Sequence, residues 1–355
     1  MAEIVVDRIT KQFGSFTAVK DLDIRFGDGE VACLLGPSGC GKTTLMRMIA
    51  GLETPTSGRI LFGDRDVTRL PTHARNVGMV FQYPVMYPTL SVEENIALPM
   101  RQDRAISGAE RDRRVSDMLE VLDMCDQRRS FIDELDAGAR QKVAVGRAIA
   151  RGSDIVLFDE PTTNVEVNAK LQLIRAIKTV IQRTRQTMVY VTHDQTEAMT
   201  LADRIALMYA GNIVQYDRPD RLYNEPATEF GGWFMGNPGM NFVPATFSAG
   251  AVMAPLLAEP LRITQSIPAD TALKIGIRPE WIDMYGAPQT GTVPGILTDQ
   301  TIGIAGRYLT RVSFGEVDVK VKTVGRPPAA LGQTVHLAAQ TGKILLYADG
   351  QRITG

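Results

Sequence analysis

The segment from residue 36 to residue 43 restricts the possible folds more than any other part of this chain. It matches the pattern G-x-x-x-x-G-K-[ST] at every position, and its residues are Gly36, Pro37, Ser38, Gly39, Cys40, Gly41, Lys42 and Thr43. Glycines at this spacing let the backbone curl until successive N–H groups face a phosphate, and a helix N-terminus adds positive potential. The pattern predicts a phosphate-binding loop in which Lys42 reaches the phosphates and the Thr43 hydroxyl ligates Mg²⁺.

The residues on either side of this loop provide the required context. Val31–Leu35 is a continuous apolar run typical of a buried strand, and a helical pattern covers Lys42–Ala50. We include Thr44 in the predicted nucleotide site because it directly follows Thr43. The alternative is a glycine-rich turn that binds nothing, but it does not explain why the lysine, the threonine and the flanking elements occur together. A nucleoside triphosphate with Mg²⁺ is therefore the expected ligand of this loop.

Two acidic residues far along the chain complete the predicted chemistry. Asp159 and Glu160 directly follow Ile155–Phe158, a second apolar run of strand length. A carboxylate at the tip of a buried strand beside a phosphate-binding loop can hold the magnesium shell, so Asp159 is the predicted metal partner. Glu160 can polarise an attacking water as general base. The alternative for either residue is a capping role at the strand end.

The first two thirds of the chain have the alternating strand and helix patterns of a wound α/β structure. Up to about residue 235, β-branched runs such as Met188–Val191 alternate with helical patterns. Continuous apolar runs of this kind suit parallel strands that are covered on both faces. Between them lies a helical segment that opens with a capping box, Ser107 to Glu110. Four apolar residues then share one predicted helix face, namely Met118, Leu119, Leu122 and Cys125.

The last third of the chain has a different sequence pattern, in which short strand-like runs predominate. Val317, Val319 and Val321 alternate with charged residues, which is the pattern of a half-buried strand, and Ile344–Tyr347 is another short strand between glycines. Several short strands with frequent Gly and Pro predict a small barrel or sandwich. We place the domain boundary near Asn237–Asn241.

Composition excludes several classes of protein. The 39 basic and 40 acidic residues give a formal net charge of −1, so the chain lacks the positive charge of most nucleic-acid binders. Cys33, Cys40 and Cys125 share no disulfide or zinc spacing, which suits the cytosol. Residues 230–258 carry no charge, but their prolines and glycines favour an interdomain connection over a membrane span. A soluble chain is expected.

The motifs together resemble those of an ATP-binding-cassette (ABC) transporter ATPase. Gln82 after an apolar run, Asp159–Pro161, and His193 after another apolar run occur in the order and spacing of that family. The resemblance covers the whole chain and is strongest to the ATPase subunits of bacterial carbohydrate and polyol importers, such as the maltose and glycerol-phosphate systems. Gly276–Glu280 looks like a motif of their C-terminal domain.

The resemblance implies an α/β fold of two domains. Residues 1–238 would form a P-loop NTPase ABC cassette with a helical subdomain at about 88–153, and residues 239–355 a C-terminal all-β, OB-like regulatory domain. The implied partners are integral membrane permease subunits, a second ABC ATPase subunit and, indirectly, a periplasmic or extracellular solute-binding protein. The implied location is peripheral, at the cytoplasmic face of the inner (cell) membrane.

The resemblance also assigns roles to single residues. Phe13 matches the aromatic that stacks on adenine, although it could equally be a core aromatic. Gln82 matches the residue that contacts Mg²⁺ and the attacking water, and His193 matches the switch histidine that contacts the γ-phosphate, where the alternative is a structural histidine at a strand end. Tyr83–Pro88 matches a region that helps to line a groove for a transmembrane-subunit helix, with a buried loop as the alternative.

One segment departs from the family pattern. The family sandwiches each ATP between the phosphate loop of one cassette and a Leu-Ser-Gly-Gly-Gln segment of the other. The aligned residues here are Leu135, Asp136, Ala137, Gly138 and Ala139. A carboxylate replaces a hydroxyl donor, and two unit charges about 4 Å apart repel by about 4 kcal/mol at an effective dielectric of about 20. The family's loop after the catalytic carboxylate normally ends in Asp, and this chain has the longer acidic residue Glu166 at that position.

This departure predicts a heterodimer. Two copies of this chain would form two impaired sites, whereas a partner cassette with an intact segment would restore one of them. In that pair Lys42, Asp159, Glu160 and His193 would carry the hydrolysis. A slow homodimer is the alternative.

Two further functions compete with an importer ATPase. One is a soluble ABC ATPase acting on ribosomes or DNA, but such proteins usually carry two cassettes with charged linkers or a long coiled-coil insertion, and neither is present. The other is an ATP-binding regulatory subunit with little hydrolysis. The cassette does not touch the solute, so a sugar, polyol, glycerol or glycerol phosphate is suggested by the resemblance alone.

Overall fold

The computed structural model describes residues 3–101, 103, 105–264, 267, 268, 271–303 and 306–353. Every site residue predicted from the sequence lies within these ranges. The chain divides into two compact units, residues 1–219 and residues 220–355. The predicted boundary between functional domains, near Asn237–Asn241, stays a prediction.

The first unit mixes helices and strands in alternation. Its helices are α1 (Lys42–Ala50), α2 (Thr72–Arg75), α3 (Val92–Arg101), α4 (Gly108–Val121), α5 (Ala137–Ala150), α6 (Val167–Thr184) and α7 (Gln195–Leu201). Its strands are β1 (Ile4–Phe13), β2 (Phe16–Phe26), β3 (Val31–Leu35), β4 (Ser57–Phe62), β5 (Arg65–Asp66), β6 (Val77–Val80), β7 (Ile155–Asp159), β8 (Thr187–Thr192), β9 (Arg204–Tyr209) and β10 (Asn212–Asp217).

A six-stranded sheet organises the first unit and positions the site. Its strand order is β10-β9-β3-β8-β7-β6, and all neighbouring pairs except β10–β9 run parallel. Every residue of β3, β7 and β8 is buried, which confirms the strands predicted from continuous apolar runs. Because the carboxyl ends of parallel strands meet at one edge, the segments that follow β3, β8, β7 and β6 lie side by side there.

A second, antiparallel sheet of order β2-β1-β4-β5 packs into the same core as α1. On α1, Leu45, Met46, Met48 and Ile49 are fully buried, so this short helix is stabilised by packing and not by its length. The hairpin between β1 and β2 pairs Phe13 with Phe16 at its tip.

The helical segment begins as the capping pattern predicts. Ser107 is the N-cap of α4, and its hydroxyl accepts a hydrogen bond of 3.2 Å from the backbone N–H of Glu110. Met118, Leu119 and Leu122 are buried as predicted. The prediction for Cys125 is wrong, because its side chain is exposed. The helix ends at Val121, and the left-handed residue Asp123 turns the chain before Cys125.

The second unit is built almost entirely of antiparallel strands. Its helices are α8 (Pro219–Asn224), which starts at the division, and α9 (Glu229–Phe234). Its strands are β11 (Asn241–Pro244), β12 (Thr246–Ser248), β13 (Ala251–Met253), β14 (Leu261–Arg262), β15 (Leu273–Ile277), β16 (Ile282–Tyr285), β17 (Val293–Ile302), β18 (Tyr308–Phe314), β19 (Val317–Thr323), β20 (Thr334–Ala339), β21 (Leu345–Ala348) and β22 (Gln351–Ile353).

These strands form sheets of order β11-β15-β21-β22, β12-β13-β14 and β16-β20-β17-β18-β19 around one core. Val319 and Val321 are fully buried, as their alternation predicts. The all-β character of the C-terminal region is therefore confirmed. Within the described ranges, no helix combines the length and the apolar character that crossing a membrane requires.

The uncharged stretch 230–258 is more than an interdomain connection. It contains most of α9 and the whole of β11, β12 and β13. Its lack of charge has a physical cause, since Met235, Met240, Val243 and Val252 are buried.

Arg278, which directly follows β15, binds the segment that precedes the first strand of the second unit. Its side chain is fully buried, and its guanidinium donates to the carbonyl oxygens of Gly232 (2.9 Å) and Tyr223 (2.6 Å). The guanidinium also stacks 4.0 Å from the centre of the Tyr223 ring. Residues 220–236 therefore pack with the second unit, although they precede its first strand.

Candidate active site

The loop between β3 and α1 has the backbone that its glycines predict. Gly39 and Gly41 have φ angles of +78° and +104°, which residues with a Cβ rarely adopt. A Cβ on Gly41 would also lie 2.5 Å from the carbonyl oxygen of Ala18. The loop conformation therefore requires glycine at position 41 for two independent reasons.

The lysine of this loop points into its centre. Lys42 is almost fully buried, and its Nζ donates to the carbonyl oxygens of Gly36 and Pro37, both at 2.9 Å. The first turn of α1 contains no acidic residue, and Gly41 as N-cap offers no side chain to its amides. An ammonium group and free helix N–H donors at one place make an anion-binding site.

A hydroxyl and a buried carboxylate lie next to this loop. Thr43 Oγ1 donates to Asp159 Oδ1 over 3.3 Å. Burial raises the pKa of the Asp159 carboxyl, although Arg47, Thr43 and Lys42 each act to lower it. Mg²⁺ prefers oxygen ligands of these two kinds, so the donor set fits the predicted metal site.

Glu160 follows Asp159 in a strained backbone conformation. Its φ angle is +45°, and its N–H donates to the carbonyl oxygen of Val191 over 3.0 Å. Its Oε2 accepts a hydrogen bond of 3.0 Å from the hydroxyl of Thr163 and lies 3.2 Å from Nδ1 of His193. Such strain concentrates at functional sites. The carboxylate and the imidazole, both predicted from the sequence, are thus brought into direct contact.

A cleft of about 290 Å³ connects the loop with the aromatic hairpin. It is lined by Phe13, Phe16, Ala18, Ser38, Gly39, Gly41, Lys42, Thr43, Thr44 and Glu160. The ring of Phe13 is 48% exposed, so the alternative that this residue is a core aromatic is wrong. Phe16, at 60% exposed, is a second aromatic wall that the sequence analysis missed.

Gln82 lies at the same edge of the sheet. It is half-buried and comes two residues after β6, whose neighbour β7 ends at Asp159 and is followed by Glu160. The carbonyl oxygen of Phe81 accepts a hydrogen bond of 3.1 Å from the buried side chain of Gln141. This bond holds the start of the Gln82 segment against α5.

The segment 83–88 is not a buried loop. Tyr83, Val85 and Tyr87 are 69%, 64% and 49% exposed. Val85 and Tyr87 line a cavity of about 610 Å³ together with the end of α3 and the last turn of α5. The buried Asn95 fixes this segment by exchanging hydrogen bonds with the backbone of Tyr87, each of 3.1 Å.

Residues 135–139 lie apart from the cleft that holds the phosphate loop. They lead into α5, which begins at Ala137; Asp136 is the N-cap, and its Oδ1 accepts a hydrogen bond of 2.7 Å from the N–H of Ala139. Gly138 allows α6 to approach, since a Cβ there would lie 2.9 Å from Cβ of Ala169. Asp136, Gly138 and Ala139 line a different cleft of about 310 Å³.

Sequence reasoning also missed a buried hydrogen-bond network beside Glu160. It joins Thr162, Lys170, Tyr190 and Glu197, which come from four separate segments. No short motif contains these residues. The one available signal was a charged residue, Glu197, among the apolar positions of a short helix.

Comparisons with known proteins agree with this geometry. The family model described as ABC transporter matches residues 19–163. One solved structure, titled "Dimeric Structure of MJ0796, a Bacterial ABC Transporter Cassette", covers 61% of this chain and 98% of that chain, with a TM-score of 0.54 and 28% sequence identity. A post-hydrolysis state of the same cassette, bound to ADP and Pi, matches with a TM-score of 0.53 and 27% identity.

Curated relatives extend the similarity along the chain. The sn-glycerol-3-phosphate import ATP-binding protein UgpC of Ruegeria pomeroyi is 42% identical over 79% of each chain. The diacetylchitobiose uptake system ATP-binding protein MsiK of Streptomyces coelicolor is 35% identical over 100% of each. The maltose/maltodextrin import ATP-binding protein MalK of Yersinia pestis bv. Antiqua is 39% identical over 90% of this chain and 81% of that protein. This chain therefore belongs to the ABC transporter family, as an ABC-type ATPase subunit.

Proposed function

We propose that this chain hydrolyses ATP to energise the import of a carbohydrate, polyol, glycerol or glycerol phosphate through membrane-embedded permease subunits. The observation that carries the proposal is the convergence of three groups at one edge of a parallel sheet. These are the Lys42 ammonium within the phosphate loop, the Thr43–Asp159 pair and the Glu160–His193 pair.

Each of these groups has a distinct task in hydrolysis. Lys42 and the first N–H groups of α1 bind the phosphates, and Phe13 and Phe16 give the base an apolar wall. Glu160 accepts the proton of the attacking water as general base. His193, whose Nδ1 contacts Glu160, orients that carboxylate and senses the terminal phosphate.

Thr43 and Asp159 would hold Mg²⁺, with Gln82 completing the site from the neighbouring segment. The metal ion supplies charge neutralisation on the phosphate oxygens when it is bound. Thr43 offers a hydroxyl oxygen, and Asp159 offers a carboxylate that is partly desolvated by burial. Binding a cation there would relieve the cost of that buried charge.

The Glu160→Gln variant tests the hydrolytic role. We expect ATP hydrolysis to fall at least 100-fold while ATP binding is retained, because Gln keeps the shape but cannot accept the proton. Glu120→Gln, the same change at an exposed position of α4, is the matched control. If Glu160→Gln hydrolyses ATP and drives uptake as the unaltered chain does, the proposed chemistry is wrong.

The nature of the solute rests on the relatives. UgpC, MsiK and MalK are named for glycerol phosphate, diacetylchitobiose and maltose, which are all small polyhydroxylated compounds or their derivatives. Within this class we favour glycerol or glycerol phosphate. Uptake of the radiolabelled compounds in cells with and without the chain would distinguish them, and a solute outside this class would contradict the proposal.

The exposed segment 83–88 and the cavity beneath it suit a helix of the permease. Val85 and Tyr87 supply apolar surface, and Arg147 lies in the same cavity. Docking there would place the chain peripherally, at the cytoplasmic face of the cell membrane, with a solute-binding protein acting from the other side. Tyr87→Glu should release the chain from purified permease subunits while leaving ATP binding intact.

We also propose that the second cassette is an unlike chain. Asp136 supports this, because its carboxylate already occupies the N–H of Ala139 and would repel a phosphate brought to the start of α5. The purified chain should therefore hydrolyse ATP slowly by itself and faster with a second cassette subunit. Rapid turnover by the chain alone, with simple saturation and no gain from a second cassette, would establish the homodimer.

A further inference from the structure

A buried carboxylate on α7 takes part in three polar contacts within the first unit. Glu197 is 1% exposed. Its Oε1 accepts a hydrogen bond from the hydroxyl of Thr162 at 2.5 Å and lies 2.6 Å from Nζ of Lys170. Its Oε2 accepts a hydrogen bond of 3.0 Å from the hydroxyl of Tyr190. Both carboxylate oxygens are therefore fully engaged by groups from other segments.

These contacts reach the neighbours of both catalytic side chains. Thr162 lies two residues after Glu160, and Asp194 directly follows His193. Nζ of Lys170 contacts Asp194 Oδ2 at 2.7 Å as well as Glu197. The other oxygen of Asp194 caps α7 through the N–H of Thr196 at 2.8 Å.

Opposite charges meet in this network, where Lys170 contacts both Asp194 and Glu197. Burial acts to lower the pKa of Lys170, but the hydrogen bonds that its ammonium donates to Asp194 and Glu197 outweigh this effect and raise the pKa overall. The single ammonium group of Lys170 thus forms ion pairs with two carboxylates. Removing a partner from a buried, charged network leaves an uncompensated group, whereas apolar residues would fill the same space at no such cost. A network of this kind beside Glu160 and His193 suits a role in positioning these two side chains.

We propose that Glu197 is a positioning residue for hydrolysis, which fixes Glu160 relative to His193 by holding Thr162 on one side and Lys170 on the other. Glu197 lies in neither the nucleotide cleft nor the metal site, so it acts through these neighbours. The inference rests on the proposed function, in which Glu160 and His193 act on ATP. The 3.2 Å contact between their side chains is the distance that the network would maintain.

Thr162→Val tests the network because it removes one hydroxyl and preserves the shape of the side chain. The assay is steady-state ATP hydrolysis by the full-length chain in its assembled transporter, with ATP affinity measured separately by a fluorescent ATP analogue. We expect kcat to fall about tenfold and KM for ATP to stay within twofold, because small misplacements of a catalytic group act on the chemical step. Thr162→Ser should restore kcat to within twofold.

Thr200→Val is the matched control on α7. The Thr200 hydroxyl donates to the carbonyl oxygen of Thr196 in its own helix at 2.6 Å, and within the described residues it bonds to no other element. We expect its kcat and KM to remain within twofold of the unaltered chain. Thr162→Ala takes the place of Thr162→Val if the valine variant does not fold, as judged by thermal melting.

Several results would overturn the inference. It fails if Thr162→Val keeps kcat within twofold, if Thr162→Ser does not rescue, or if Thr200→Val loses as much activity. It also fails if Thr162→Val weakens ATP binding as much as it lowers kcat. A failure of the proposed function itself is recognised separately, since Glu160→Gln would then hydrolyse ATP normally.

Discussion

Oδ1 of Asp136 accepts a hydrogen bond of 2.7 Å from the backbone N–H of Ala139, so α5 is capped by its own chain. The free N–H groups at a helix start are also the donors that bind phosphate. The cap and a nucleotide phosphate therefore compete for the same donors. Lys42 and α1 show the opposite arrangement, because Gly41 leaves the first turn of α1 without a side-chain cap.

Asp136→Ser should raise the ATP hydrolysis rate of a site that uses this segment by about tenfold, because it replaces a repelling carboxylate with a hydroxyl donor. Serine is itself a good N-cap, so the free energy of unfolding should change by less than about 1 kcal/mol. Steady-state hydrolysis at saturating ATP and denaturant unfolding measure the two effects.

Asp136→Asn is the control that separates charge from hydrogen bonding. It keeps an acceptor for the N–H of Ala139 and removes the negative charge, so it should recover part of the gain. Unchanged or slower hydrolysis in both variants, with normal stability, would show that Asp136 does not limit turnover.

Asp159→Asn should abolish Mg²⁺-dependent hydrolysis and at the same time stabilise the chain by about 1 kcal/mol at neutral pH. Burial raises the pKa of this carboxyl above its unfolded value, so the native state binds the proton more tightly than the unfolded state. The protonated carboxyl therefore contributes to the free energy of unfolding at pH values below the pKa of the unfolded state. This contribution is lost as the pH rises through the higher pKa of the folded state. The gain from Asn should therefore shrink towards acidic pH.

Denaturant unfolding without Mg²⁺, at neutral and at acidic pH, measures this effect. Asp64→Asn, in the exposed turn between β4 and β5, is the control and should alter neither stability nor hydrolysis. A loss of stability in Asp159→Asn at neutral pH would mean that Arg47 and Lys42 offset the burial of the charge.

Local patterns sufficed to predict the elements that carry the phosphate site. β3 and α1 have the predicted bounds, because a continuous apolar run and a glycine before a helical pattern are short-range signals. Cys125 was assigned wrongly for a related reason. Periodicity alone does not reveal that the helix ends at Val121 and that Asp123 reverses the chain.

Contacts between distant segments were beyond prediction from one sequence. Motifs identified Glu160 and His193, but not the network of Glu197, whose partners lie 7 to 35 residues away. The uncharged stretch 230–258 was similarly ambiguous, because strands packed into a core and a connection between domains can share one composition. Three-dimensional packing decides between them.

Phe13→Ala should raise the dissociation constant for ATP about tenfold, because stacking of a base on an aromatic ring contributes about 1–3 kcal/mol. The ring is 48% exposed and lines the cleft, so its loss should change the free energy of unfolding by less than about 0.5 kcal/mol. Equilibrium titration with a fluorescent ATP analogue and denaturant unfolding are the measurements.

Phe16→Ala provides the comparison across the hairpin, since Phe16 pairs with Phe13 and lines the same cleft. A larger effect from Phe13 would make it the ring that contacts adenine. If only Phe16→Ala weakens binding, the role assigned to Phe13 belongs to Phe16.

Arg278→Lys should destabilise the second unit by about 3 kcal/mol, because an ammonium cannot replace the planar guanidinium that binds two carbonyl oxygens and stacks on Tyr223. The two tryptophans of the chain, Trp233 and Trp281, both lie in that unit, so their fluorescence during denaturant unfolding reports on it. Arg311→Lys is the matched control, since Arg311 is half exposed and lies 3.7 Å from Asp318 at the surface. Equal stability of the two variants would mean that the buried arginine does not hold residues 220–236 against the strands of the second unit.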